Sequence, residues 1–140
     1  MTTPRRGAID GVLEAALYAE NLDAAEAFYA GFLGLEVRLR AGNRHVFFNA
    51  AGTVRLVFNP AETVTPPPQG ALPVPPHGAQ GPGHVCFAMS ADEIEALKAR
   101  ALAADIPVDA DFTWPNGARS LYLRDPAGNS VEFAERRLWF

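Results

Sequence analysis

The chain has 140 residues, is 49% hydrophobic and 20% charged, and carries a formal net charge of −4. That length suits one ordinary domain able to bury roughly 70% of its unfolded surface, and the composition is globular rather than disordered. The acidic balance argues against a nucleic-acid binder, no apolar run approaches the ~20 residues of a membrane span, and the lone Cys86 excludes an internal disulfide.

In chain order, Met1–Gly7 holds two arginines with no apolar stretch behind them, so no secretion signal is expected and a reducing cytoplasm is the expected location. The apolar run 12–19 predicts a strand. Asn21 is placed to cap a helix with Asp23 and Glu26 in its first turn, and Leu22, Ala25, Phe28, Tyr29, Phe32 and Leu33 recur at helical spacing. Gly34 ends that helix and 35–39 restarts a strand. Residues 45–58 predict two strands around a tight turn at Ala50-Ala51-Gly52. From Thr65 to Gly83 the chain reads TPPPQGALPVPPHGAQGPG, which no helix or central strand survives. Such a long loop reads as a lid or a linker.

The second half repeats the first. Residues 84–89 predict a strand, Ser90 and Glu93 have capping-box spacing, and Ile94, Leu97, Ala101 and Leu102 form an apolar stripe. Ile106-Pro107-Val108 opens another strand, and 120–133 predict two strands around Asp125-Pro126-Ala127-Gly128, a turn that needs only turn chemistry. Each half is a strand, a helix and about three strands. The expected fold is α+β: two βαβββ modules, 11–62 and 83–135, within one domain 1–140, joined by the Pro/Gly-rich loop 65–83. The modules form curved mixed sheets around a cleft, with the helices outside.

Three stretches, LYAENLDAAEAFYAGFLGLEV, GPGHVCFAM and RSLYLRDPAGNSVEF, resemble the vicinal oxygen chelate superfamily over roughly residues 11–135. That group includes glyoxalase I, bleomycin-resistance proteins, fosfomycin-resistance transferases, methylmalonyl-CoA epimerase and extradiol dioxygenases. The resemblance implies a metal held in the cleft from the first, fourth, fifth and eighth strands. The matching positions are Glu14, eight before Leu22; His84 of GHV; and Glu132, four after Gly128. The fourth-strand position falls on Arg55 or Leu56, and neither is a carboxylate. What remains is Glu-His-Glu, a donor set for one divalent ion, Mn, Fe, Zn, Ni or Co. The residue pattern points the same way, because Glu14 and Glu132 each interrupt an apolar strand. A carboxylate there costs several kcal/mol unless paired or metal-bound. The alternative pairs Glu14 with Arg55 and leaves His84 a structural strand histidine.

His45 and Tyr122 are the candidate acid–base groups. Arg55, Phe47, Trp114 and Arg119 are candidates for holding substrate, an arginine suiting an anionic group. His77 lies in the proline-rich loop, where it is either part of a lid or an exposed loop residue. Cys86 shares a face with His84 and reads as a small packing residue. The resemblance implies a metal-dependent glyoxalase-like or dioxygenase-superfamily enzyme, with the metal chelating vicinal oxygens of a small substrate. The alternative is a bleomycin-resistance-type protein that sequesters a drug or metabolite. A homodimer is expected from the resemblance and from the apolar tail Leu138-Trp139-Phe140, with no nucleic-acid or membrane partner.

Overall fold

Each half of the chain is built by local signals that the side chains can be seen to supply. The computed structural model describes residues 9–140, so the reading of Met1–Gly7 falls outside the described residues. In the first half, strand β1 (Glu14–Tyr18) leads into helix α1 (Leu22–Glu26), whose first turn is capped by Asn21 Oδ1 accepting from the Ala24 N–H. The helix widens into a π-helical segment, Ala27–Phe32, closed by the Leu33 N–H donating to the Phe28 carbonyl. Gly34, at φ +79°, takes the left-handed conformation that stops it. Strands β2 (Glu36–Ala41), β3 (His45–Ala50) and β4 (Thr53–Phe58) follow. Ala51 and Gly52 join β3 to β4 with positive φ at both positions, the geometry of the hairpin turn that matches strand twist. A short helix α2 (Pro60–Thr63), which the sequence pattern did not predict, is capped by Asn59 and begins with proline.

The second half repeats the order: β5 (His84–Ala88), α3 (Ala91–Ala103), β6 (Val108–Thr113), β7 (Arg119–Arg124) and β8 (Ser130–Ala134). Ser90 Oγ accepts from the Glu93 N–H at the head of α3. Each half forms its own four-stranded mixed sheet, ordered β1-β4-β3-β2 and β5-β8-β7-β6. In both, the first strand runs parallel to the last and forms a sheet edge. Bulges between Val37 and Leu39 and between Val108 and Ala110 each insert one residue at the matching place in the two halves.

Alternation along the strands sorts side chains onto two faces. Leu17, Val46, Phe48 and Val57 of the first sheet, and Val85, Leu121, Leu123, Val131 and Phe133 of the second, turn to the helices. They join Leu22, Tyr29, Ile94 and Leu97 in one buried cluster shared by both modules. The junction between modules is polar as well. The Tyr29 hydroxyl donates to Asp125 Oδ2 at 2.8 Å, and Asn129 Nδ2 donates to the same oxygen and to the Tyr18 carbonyl. Burial and the Asp125 charge push the Tyr29 hydroxyl far above its ordinary pKa, so it remains a donor. The turn expected to need only local chemistry is therefore also the latch between modules. The opposite faces, bare of helices, carry the functional side chains.

Candidate functional site

The bare face of the second sheet converges on Glu132. The register pairs Cys86 with Glu132 across β5 and β8, and Tyr122 with Glu132 across β7 and β8. Glu132 is only 5% exposed although it is charged. Ser120, fully buried, donates from Oγ to Glu132 Oε2 at 2.6 Å, and Trp114 Nε1–H donates to Ser120 Oγ at 2.7 Å. The other oxygen, Oε1, stands 3.3 Å from His84 Nε2. His84 Nδ1 lies 3.1 Å from the Ser130 carbonyl, which can only accept, so Nδ1 carries the proton. In a neutral ring Nε2 then presents a lone pair to a carboxylate oxygen. Two acceptors facing each other at that distance need something between them, either a proton carried by one of the two or a cation shared by both. Donors each ~2.1 Å from one metal ion stand about this far apart, so the pair fits two ligands of a divalent ion.

Aromatic rings wall this centre. Tyr122 stacks near His84 with centroids 6.2 Å apart, Phe112 stacks on Tyr122 at 5.8 Å, and Trp114 meets Phe112 edge-on at 4.8 Å. Burial first, then the hydrogen bond and charge of Glu132, push the Tyr122 hydroxyl up to about 12, so at neutral pH it donates and does not act as a base. Desolvation and the same carboxylate push the Cys86 thiol up to about 12, which keeps it a protonated thiol rather than a nucleophile.

The bare face of the first sheet carries a separate aromatic cluster. His45 stacks on Phe47 with centroids 4.2 Å apart, and Phe58 meets both rings edge-on. Arg44 Nη1 donates to His45 Nδ1 at 2.8 Å. Burial and the Arg44 charge lower the His45 pKa, so the ring is neutral at pH 7. The proline-rich loop reaches this face through His77, whose ring packs on Phe58 and whose Nδ1 lies 2.7 Å from the Tyr18 hydroxyl. His77 is thus a docked residue of the loop, not a free one. Glu14 shares this sheet face by alternation with Tyr18 and is exposed.

Of the residues singled out from sequence, the structure brings His84, Glu132, Tyr122 and Trp114 together. His45 and Phe47 are grouped with Phe58. Glu14 is not beside His84 and Glu132: among the described residues no three His, Cys, Asp or Glu side chains form a group able to hold a metal. Two expectations need correction. Arg55 pairs in register with Ala15 and Phe48 and so belongs to the helix-covered face, opposite Glu14. It does not form the alternative ion pair with Glu14. Arg119 also turns to the helices, where it pairs with Asp111 and Glu95. Both arginines are one residue out of phase with the bare face. The residue missed was Ser120, whose signal was a small hydroxyl in phase with Tyr122 on a strand beside Glu132.

The comparisons with known proteins agree with this architecture. The chain is 44% identical to a lactoylglutathione lyase from Agrobacterium tumefaciens, with a TM-score of 0.89 over 94% of this chain and 98% of that one. A glyoxalase/dioxygenase from Nostoc punctiforme is 20% identical, with a TM-score of 0.68 over 96% of each chain. An integron cassette protein from the mobile metagenome of the Halifax Harbour sewage outfall is 24% identical, with a TM-score of 0.70 over 91% of this chain and 99% of that one. These last two show the fold alone. No curated protein sequence matches. No helix among the described residues is long and apolar enough to cross a membrane. The profile of the Glyoxalase/Bleomycin resistance protein/Dioxygenase superfamily matches residues 11–133, and the chain belongs to that superfamily.

Proposed function

We propose that this chain is a metal-dependent glyoxalase-like enzyme that works as a homodimer, with His84 and Glu132 of one copy and Glu14 of the other holding one divalent ion. The observation that carries the reading is the facing pair of acceptors, His84 Nε2 and Glu132 Oε1, 3.3 Å apart on a largely buried carboxylate. Two further features support a second copy. Glu14 lies on the other module's bare face, on a strand that pairs on one side only. Beside it, Ile9, Val12 and Leu13 are 72%, 69% and 78% exposed, an apolar strip that water disfavours.

When bound, such an ion supplies Lewis-acid polarisation of two neighbouring oxygens on a small substrate. The chain's own groups do the rest. Ser120 and Trp114 fix Oε2 of Glu132 and leave Oε1 for the centre. Tyr122, protonated at neutral pH, offers a hydrogen bond to an oxygen on which charge develops. Phe112 and Trp114 form an apolar wall on that side. His45, neutral and carried by the other module, accepts from Arg44 at Nδ1 and so presents its Nε2–H as a donor toward substrate. The reaction named for the Agrobacterium relative, that of a lactoylglutathione lyase, is the first to assay. A binding-protein reading is favoured by one feature, the ring cluster of Phe47, Phe58, His45 and His77, which offers a stacking surface without need of a metal.

Elemental analysis tests the proposal. About one divalent ion per chain is expected in the wild type after reconstitution, with loss of at least roughly tenfold in affinity in His84→Ala, Glu132→Gln and Glu14→Gln. A wild type that takes up no Mn, Fe, Zn, Ni or Co contradicts the enzyme reading and leaves the binding protein.

A further inference from the structure

Arg55, set aside from the bare face, sits in a different cavity. A cleft of about 410 Å³ opens on the helix side between the modules. Its body is apolar, formed by Leu33, Val85, Leu97 and Phe133, and Arg55, Arg100 and Arg136 line it with no aspartate or glutamate among the lining residues. Elsewhere among the described residues, Arg40, Arg119, Arg124 and Arg137 each pair with a carboxylate, whereas Arg38 and Arg44 do not and line no cavity of this kind. Among the described residues none of the three cavity arginines pairs with a carboxylate. Arg100 only donates to the Phe32 carbonyl and lies over the Phe32 ring. Arg55 is the most telling, because it is partly buried with no carboxylate among the described residues beside it, and that burial pushes its guanidinium below its ordinary pKa. A partly buried charge without a partner is costly, and Arg55 is one; with the exposed Arg100 and Arg136 at the mouth of the same apolar cleft, in a chain of net charge −4, it marks a place for an anion.

We propose that this cleft binds an amphipathic monocarboxylate, its tail among Leu33, Val85, Leu97 and Phe133 and its carboxylate held by Arg55 with Arg100 and Arg136. The volume lies within the range of small-molecule sites, and guanidinium groups suit a carboxylate through paired N–H donors. The site is independent of the metal proposal, since its lining includes neither Glu14, His84 nor Glu132.

Isothermal titration of the full chain with octanoate, beside 1-octanol and octylammonium, tests it. Saturable binding of about one octanoate per chain is expected, with 1-octanol and octylammonium roughly tenfold weaker or worse. Arg55→Met should weaken octanoate at least roughly tenfold. The surface change Arg136→Gln, which leaves the core intact if Arg55→Met does not fold, should weaken it roughly threefold. His84→Ala should leave it unchanged. Absence of saturable binding, equal affinity for 1-octanol, undiminished affinity in Arg136→Gln and a folded Arg55→Met, or loss in His84→Ala would overturn the proposal. So would octanoate uptake that tracks dissociation of a dimer, which assigns the cleft to a second copy.

Discussion

The two oxygens of the Glu132 carboxylate have different tasks. Oε2 is tied to Ser120, itself held by the Trp114 indole, while Oε1 faces His84. Removing the Ser120 hydroxyl leaves a buried carboxylate oxygen without its donor. Ser120→Ala is therefore expected to cost about 1–3 kcal/mol in stability and to weaken metal binding roughly tenfold, measured by urea unfolding and by metal titration. Unchanged values for both would show that the hydroxyl does not position Glu132. At this scale the sequence was informative wherever strand parity was followed. His84, Cys86, Glu132 and Tyr122 fall on one face because they are in phase. Arg55 and Arg119 suit an anionic group by their chemistry but lie out of that phase, and both face the helices. Arg119 neighbours Leu121 in phase, and this alone places it on the apolar side.

Among the secondary-structure elements, α3, β6 and β7 are tied by a cluster of opposite charges. Asp111 accepts from Lys98 and from two nitrogens of Arg119, which also pairs with Glu95. Arg119 first, and Lys98 after it, hold the Asp111 carboxyl at about 2 against the opposing effect of burial. In the unfolded chain the same group titrates near ~3.9. The unfolded state therefore binds more protons between those values. The contribution is fully present above about pH 4 and is lost as pH falls toward 2. Asp111→Asn should accordingly flatten the decline in stability between about pH 5 and pH 2.5, read by denaturant unfolding at each pH. Parallel declines in variant and wild type would contradict the coupling. The caps at Asn21 and Ser90, the Gly34 stop and both hairpins were legible because each depends on one or two residues with a local task. The π-helical widening at Ala27–Phe32 was not, since the apolar spacing that predicts an α-helix is nearly the same. The bulges were hidden as well, because a single inserted residue leaves both flanking patterns intact.

On the scale of the whole molecule, the repeat was plain in the sequence but the way its halves combine was not. Turn chemistry at Asp125 gave no sign that its side chain accepts from Tyr29, 96 residues earlier. Tyr29→Phe leaves Asp125 Oδ2 with only the Asn129 donor, and is expected to cost about 1–2 kcal/mol in a single cooperative unfolding transition. No loss would mean the latch is passive. Nor does strand patterning say which bare face meets which, because both faces end at edge strands with equal claims to a partner. The strip at Ile9, Val12 and Leu13 and the tail at Trp139 and Phe140, 81% and 92% exposed, are apolar surfaces available to a second copy. The most direct measurement of the shared metal centre uses a hybrid dimer of one His84→Ala chain and one Glu14→Gln chain, purified by differential tags and analysed for metal. If each centre takes Glu14 from one copy and His84 with Glu132 from the other, the hybrid keeps one intact centre and should hold about half an ion per chain, while either variant alone holds close to none. A hybrid as empty as the single variants, beside a loaded wild type, would contradict a centre shared between copies.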